Sequence, residues 1–103
     1  TLRAIRTLRE VDVIAAEDTR VTGMLLKHLG IERKAQLVSH HDHNLHSSVP
    51  KLIELIEGGA SVAIVSDAGT PGISDPGRAL AAECVSRSIP IVPVPGPCAA
   101  IAA

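Results

Sequence analysis

The chain has 103 residues, about one domain's length, and 46% of them are hydrophobic although none is Phe, Tyr or Trp. Modules that hold RNA by stacking bases on aromatic rings are thereby excluded. Ten Lys and Arg against eleven Asp and Glu leave a net charge of −1, and with no basic run of five or six residues a purely electrostatic grip on nucleic acid is not expected either.

Hydrophobic periodicity marks the elements in chain order. Leu2, Ile5 and Leu8 recur beside Arg3, Arg6 and Arg9, which predicts an amphipathic helix. Residues 11–16 form an apolar run broken only by Asp12. Val21, Met24, Leu25 and Leu29 mark a second helical face, stopped at Gly30. Residues 35–39 are strand-like. Val49, Leu52, Ile53 and Ile56 form a third helical stripe closed by Gly58 and Gly59. Residues 62–65 are apolar on both faces, as a central parallel strand must be when helices cover both sides. A Gly- and Pro-rich loop covers 67–77, and Asp75 followed by Pro76 predicts a helix start with Asp75 as cap. Leu80, Ala81, Cys84 and Val85 give that helix an inward face.

Residues 89–94 form a last strand, and because Pro90 and Pro93 cannot donate to a ladder it is expected to be short or to lie at the sheet edge. Residues 96–103 are expected to open a further helix. Strict alternation of helix and strand predicts one α/β domain built on an open parallel sheet with right-handed crossovers. The apolar stretches are too short to span a membrane and Arg3, Arg6 and Arg9 interrupt any signal-peptide pattern. Cys84 and Cys98 lack a C-x-x-C spacing, so reduced thiols and a cytoplasmic location are expected.

In open α/β sheets ligands bind beyond the carboxyl ends of the strands. Each strand here ends in a distinctive string: Glu17-Asp18-Thr19-Arg20, then Ser39-His40-His41-Asp42-His43-Asn44, then the loop 67–77, then Pro95-Gly96-Pro97-Cys98-Ala99. Parallel strands would set all four along one rim. The first string reads equally as a capped helix start, with Asp18 or Thr19 as N-cap, or as a binding element; Arg20 fits the cap poorly, since a cation near a helix N-terminus is unfavourable. The histidines His40, His41, His43 and His46 match no zinc spacing, so no metal is expected; solvated loop histidines, substrate contacts and proton transfer all stay open. Gly69, Gly72 and Gly77 either turn a long loop or expose backbone to a flat ligand without Cβ obstruction. The loop carries neither the Gly-Lys-Ser/Thr of nucleotide hydrolases nor the Gly-x-Gly-x-x-Gly of dinucleotide sites.

Together the strings Glu17-Asp18-Thr19-Arg20, Ser39 through Asn44, the twelve residues from Ser66 through Gly77, and Pro95-Gly96 resemble the ribosomal RNA small subunit methyltransferase I family, a branch of the tetrapyrrole (corrin/porphyrin) methylase superfamily. The resemblance runs the whole length of the chain. It implies S-adenosylmethionine as methyl donor and methylation of a cytidine 2′-hydroxyl in 16S rRNA of the small ribosomal subunit. It also implies two α/β domains with the donor in the cleft between them, and a homodimer. The donor-contacting positions it implies are Asp67, Gly69 and Thr70 after the central strand, and Pro95, Gly96, Cys98 and Ala99 after the next. Asp18, Arg20, His41 and His43 are the catalytic candidates, with Arg20 and the run 40–43 facing the RNA.

Two departures stand against the pattern. Cys98 occupies a position where Ser or Thr is commoner, and a thiol is the weaker hydrogen-bond partner. Family chains also open with a strand and a Gly-Asn-Leu loop and continue into a second domain. Residues 1–103 are therefore expected to be part of an N-terminal domain, truncated at both ends and inactive alone. A tetrapyrrole (precorrin) or protein methylase of the same superfamily, or a non-catalytic fragment, are the alternatives.

Overall fold

The expected alternation is realised as far as β4 in a computed structural model, which describes residues 2–31, 35–41, 43–65, 75–94 and 98–102. The elements are α1 (Leu2–Glu10), β1 (Val13–Ala16), α2 (Thr19–His28), β2 (Gln36–Ser39), α3 (Leu45–Glu57), β3 (Ser61–Val65), α4 (Asp75–Ser86), β4 (Ile91–Val94) and β5 (Cys98–Ala102). Among the described residues no helix is long and apolar enough to cross a membrane.

The side-chain period of two in β1 and β3 explains the layering. Val13 and Ala15 of β1 and Val62 and Ile64 of β3 pack with Leu52, Ile53 and Ile56 of α3 and Leu80 and Cys84 of α4. The intervening Ile14, Ala63 and Val65 pack with Ala4 and Leu8 of α1 and Leu26 of α2. Both faces of the central strands are thus covered, which is why they contain no alternating polar residue. Ile14, Leu52, Ile56, Val62 and Leu80 are fully buried, and at about 25 cal/mol per Å² this burial supplies the stabilisation that aromatic rings would otherwise share. Burial also pushes the Cys84 thiol up, with Glu83 adding to the shift, so Cys84 behaves as a core residue and not as a nucleophile.

The sheet order is β2-β1-β3-β5-β4, and β1 runs parallel to both β2 and β3. The last expectation fails. Residues 98–102 form strand β5, antiparallel to β3 and to β4, in place of a helix. Alanine favours helix, but helix propensity is a weak local preference that tertiary pairing overrides. The edge of β3 offers ladder partners instead, from Ser61 opposite Ala102 to Val65 opposite Cys98. Since β3 and β4 both oppose β5, they run in the same direction. β4 lies at the sheet edge and holds four residues, as its prolines require.

The strands are also pinned at their amino ends. The Asp12 carboxylate Oδ2 accepts from the Ser61 N–H at 2.9 Å and from its hydroxyl at 3.1 Å, tying the start of β1 to the start of β3. This anchor stands at the end of the sheet opposite the candidate strings.

Candidate functional site

The register levels the carboxyl ends. Ala16 lies opposite Ser39 on one side and Val65 on the other. Val65 and Val94 both lie opposite Cys98. The carboxyl ends of β1, β2, β3 and β4 therefore lie along one rim, as the sequence reading requires. The chain leaves β1 into α2, which packs on β1 and β2 in one layer, and leaves β3 into α4, which lies in the other layer. Connections that part in this way from adjacent strands open a crevice between their carboxyl ends, the position where open α/β sheets bind ligands. Here the crevice lies between β1 and β3.

From β1 come Glu17, Asp18, Thr19 and Arg20. Asp18 is the N-cap of α2: its Oδ1 accepts from the N–H of Arg20 at 3.0 Å and of Val21 at 3.3 Å. The capping alternative for this residue is thus realised. The Arg20 side chain is 91% exposed, with Nε 3.8 Å from the same oxygen. An exposed ion pair of this kind contributes little to stability, so Arg20 stays available to an anion at the rim.

The β2 string divides. The His40 N–H donates to the Ala16 carbonyl at 2.8 Å, carrying the β1–β2 ladder one residue past the strand. Its ring is 1% exposed and Nδ1 lies 2.7 Å from the buried Ser48 hydroxyl of α3. His40 is therefore a core residue that fixes the loop to α3, which corrects the expectation that the whole run 40–43 faces outward. His41 is half-buried and His43 exposed, with ring centroids 5.9 Å apart. The His43 N–H donates to His41 Nδ1 at 3.1 Å, so a neutral His41 ring carries its proton on Nε2 and acts there as a donor.

Asn44 organises this loop. Its Oδ1 accepts from the His41 N–H at 2.8 Å and its Nδ2 donates to the Ser39 carbonyl at 2.9 Å. The sequence reading gave Asn44 no role of its own, although asparagine's habit of bonding nearby backbone before a helix was the available signal. Beside the loop, a hollow of about 370 Å³ on the open edge of β2 is lined by Leu37, Ser39, Asn44, Ser47, Ser48 and Lys51.

Asp67, Gly69, Thr70, Pro95 and Gly96 lie outside the described residues. Cys98 opens β5 level with the ends of β3 and β4, and Ala99 is one residue further from the rim. The structure thus brings Asp18, Arg20, His41 and His43 to neighbouring strand ends and places Cys98 on the same rim. Among the described residues no group of three His, Cys, Asp or Glu gathers in a way that could hold a metal ion.

Comparison with known proteins agrees with this arrangement. The family profile of the Tetrapyrrole (Corrin/Porphyrin) Methylases matches residues 1–103. A protein of Synechocystis sp. named Ribosomal RNA small subunit methyltransferase I is 52% identical over 103 residues, covering 100% of this chain and 36% of the relative. The protein of that name from Escherichia coli O157:H7 is also 52% identical, over 100% of this chain and 35% of its own length. The one from Mesorhizobium japonicum is 50% identical, over 100% and 34% respectively. The chain spans about a third of the length of these relatives. With its full length matched by the family profile, this chain belongs to the tetrapyrrole (corrin/porphyrin) methylase family.

Proposed function

We propose that residues 1–103 form part of the N-terminal α/β domain of a cytoplasmic, homodimeric methyltransferase that uses S-adenosylmethionine to methylate a cytidine 2′-hydroxyl in 16S rRNA of the small ribosomal subunit. One observation carries this reading. The carboxyl ends of β1, β2, β3 and β4, the strands that the family strings follow in sequence, are level along one side of the sheet, in a chain half-identical throughout to proteins named as small subunit ribosomal RNA methyltransferases.

Level strand ends and diverging connections fit a nucleoside-bearing donor. When bound, S-adenosylmethionine supplies an electrophilic methyl group on a sulfonium. In this reading Asp67, Gly69, Thr70, Pro95, Gly96, Cys98 and Ala99 hold it, chiefly through backbone groups that small residues leave approachable. Arg20, exposed at the rim, meets an RNA phosphate. The two outer histidines divide the remaining work. His41 Nδ1 is already engaged by the His43 N–H, so His41 offers Nε2–H to an oxygen and orients it. His43 is exposed, and its ring makes only a tilted contact with His41 among the described residues, so it is the side chain suited to accept the hydroxyl proton. Asp18, committed to its cap, positions the start of α2 and with it Arg20.

The test is methyl transfer by the full-length protein from S-adenosylmethionine labelled in its methyl group. It is offered 30S subunits, a precorrin or a mixture of ribosomal proteins. Label should enter 16S rRNA and survive in an alkali-resistant dinucleotide, because a 2′-O-methyl group blocks attack on the neighbouring phosphate. Label in the precorrin or in protein instead would assign the chain to another branch of the family.

A further inference from the structure

The two helical layers carry their charge differently. In α1, Ala4 and Leu8 are buried, and a rotation of about 100° per residue sets Arg3, Arg6 and Arg9 on the opposite side of the helix. All three are exposed, and among the described residues no carboxylate pairs with them. Glu10, the last residue, is the only acid in α1, and α2 contains none. In the other layer Arg87 is held by Glu83 at 3.1 Å and Glu57 at 3.2 Å, with Glu54 nearby on α3.

The short connections fix the direction of the basic helices. Two residues join α1 to the amino end of β1, and two join the carboxyl end of β1 to α2, so both helices run antiparallel to the strand. Arg3 and Arg20 therefore stand toward the rim, and Arg9 and Lys27 toward the far end. The cations form a surface that begins at the candidate site and descends from it for the length of α1, roughly 13 Å at 1.5 Å per residue.

We propose that Arg3, Arg6 and Arg9, with Arg20 and Lys27 beside them, bind the phosphate backbone of RNA and hold the strand whose ribose enters the β1/β3 crevice. This rests on the RNA substrate proposed above and adds the surface that grips it. The guanidinium groups of Arg3, Arg6 and Arg9, without carboxylate partners among the described residues, can meet phosphate oxygens in bidentate geometry, a contact that positions the strand without reading its sequence. The proposal departs from the composition argument against an electrostatic grip through arrangement. Cations spaced three apart make no run in the sequence but share one helix face. On α2 the exposed Val21 and Met24 lie among the cations, so a second protein chain is the competing occupant of that helix.

The experiment titrates the full-length protein into a fluorescent small-subunit rRNA fragment between 50 and 200 mM salt. It compares the wild type with R3Q/R6Q/R9Q and with R3K/R6K/R9K. Gln and Lys match Arg in helix propensity, so α1 should be kept, with circular dichroism as the check. Loss of three phosphate contacts should lower the slope of log affinity against log salt by about 2 to 3. Binding should weaken about tenfold or more, equally for cognate and unrelated RNA, while donor affinity is unchanged. The Lys variant should recover most of the slope.

A Gln variant with the wild-type slope would overturn the proposal, as would a wild type without RNA affinity. A change of sedimentation state with RNA binding intact would also overturn it, and would assign the face to a protein partner. Methyl transfer is read separately. If the wild type binds RNA through these arginines yet labels no RNA, the substrate reading falls and the binding face stands.

Discussion

The α3/α4 layer and the α1/α2 layer cover the two faces of one sheet, but they differ in packing and in how they carry charge. α3 and α4 bury Leu52, Ile53, Ile56, Leu80 and Cys84 and close their outer charges on one another through Glu57, Arg87 and Glu83. α1 and α2 bury fewer large side chains and leave Arg3, Arg6, Arg9 and Arg20 extended into solvent. A groove of about 400 Å³ lies between α3 and α4, yet its polar wall is the neutralised Arg87 cluster and it faces away from the rim. The candidate site instead gathers Asp18, Arg20, His41 and His43 at neighbouring strand ends. Concavity points to one layer; strand direction and charge point to the other.

The comparison can be broken by mutation, beginning where the effect should be greatest. Ile56→Ala removes a fully buried side chain from the α3/α4 layer and should cost about 2–5 kcal/mol in urea unfolding. A cost under about 1 kcal/mol would mean that this layer does not carry the core. Ser48→Ala takes the hydroxyl away from His40 Nδ1 in the interior and should cost about 1–3 kcal/mol. It should also loosen the loop that holds His41, seen as faster amide exchange at residues 40–44. Asp18→Ala deletes the cap of α2 and should cost about 1 kcal/mol, with Asp18→Asn recovering most of it. An equal loss in the Asn variant would show that the charge, and not the cap geometry, matters. Arg87→Gln should change stability least, since its pairs with Glu57 and Glu83 are about half exposed, and that small change should vanish in high salt.

Much of this plan was legible before any coordinates. The β3 run at 62–65 carries no polar residue, and only a strand covered on both sides tolerates that. The prolines at 90 and 93 placed β4 at an edge, and helix starts within a residue or two of Asp18 and Asp75 followed from capping chemistry. Three features were not legible, each for a physical reason. β5 was read as helix because local preference for alanine says nothing about the free edge of a distant strand. His40 was grouped with its neighbours because its burial depends on Ser48, eight residues away on another element. The arginine face of α1 follows from the helical period, but that α2 with Arg20 and Lys27 shares its layer depends on how the chain crosses the sheet. The donor-holding positions at 67–70 and 95–96 rest on the family strings.

Amide hydrogen exchange of the full-length protein, with and without S-adenosylmethionine and an rRNA fragment, tests the central claim most directly, that the rim at the β1/β3 crevice is where this chain works. The donor should protect 66–77 and 95–99, and RNA should add protection at 17–20, 41–44 and along α1, while the outer surface of α3 and α4 stays unchanged. Protection confined to the groove around Pro50, Ile53 and Arg87, with the strand ends untouched, would contradict the account.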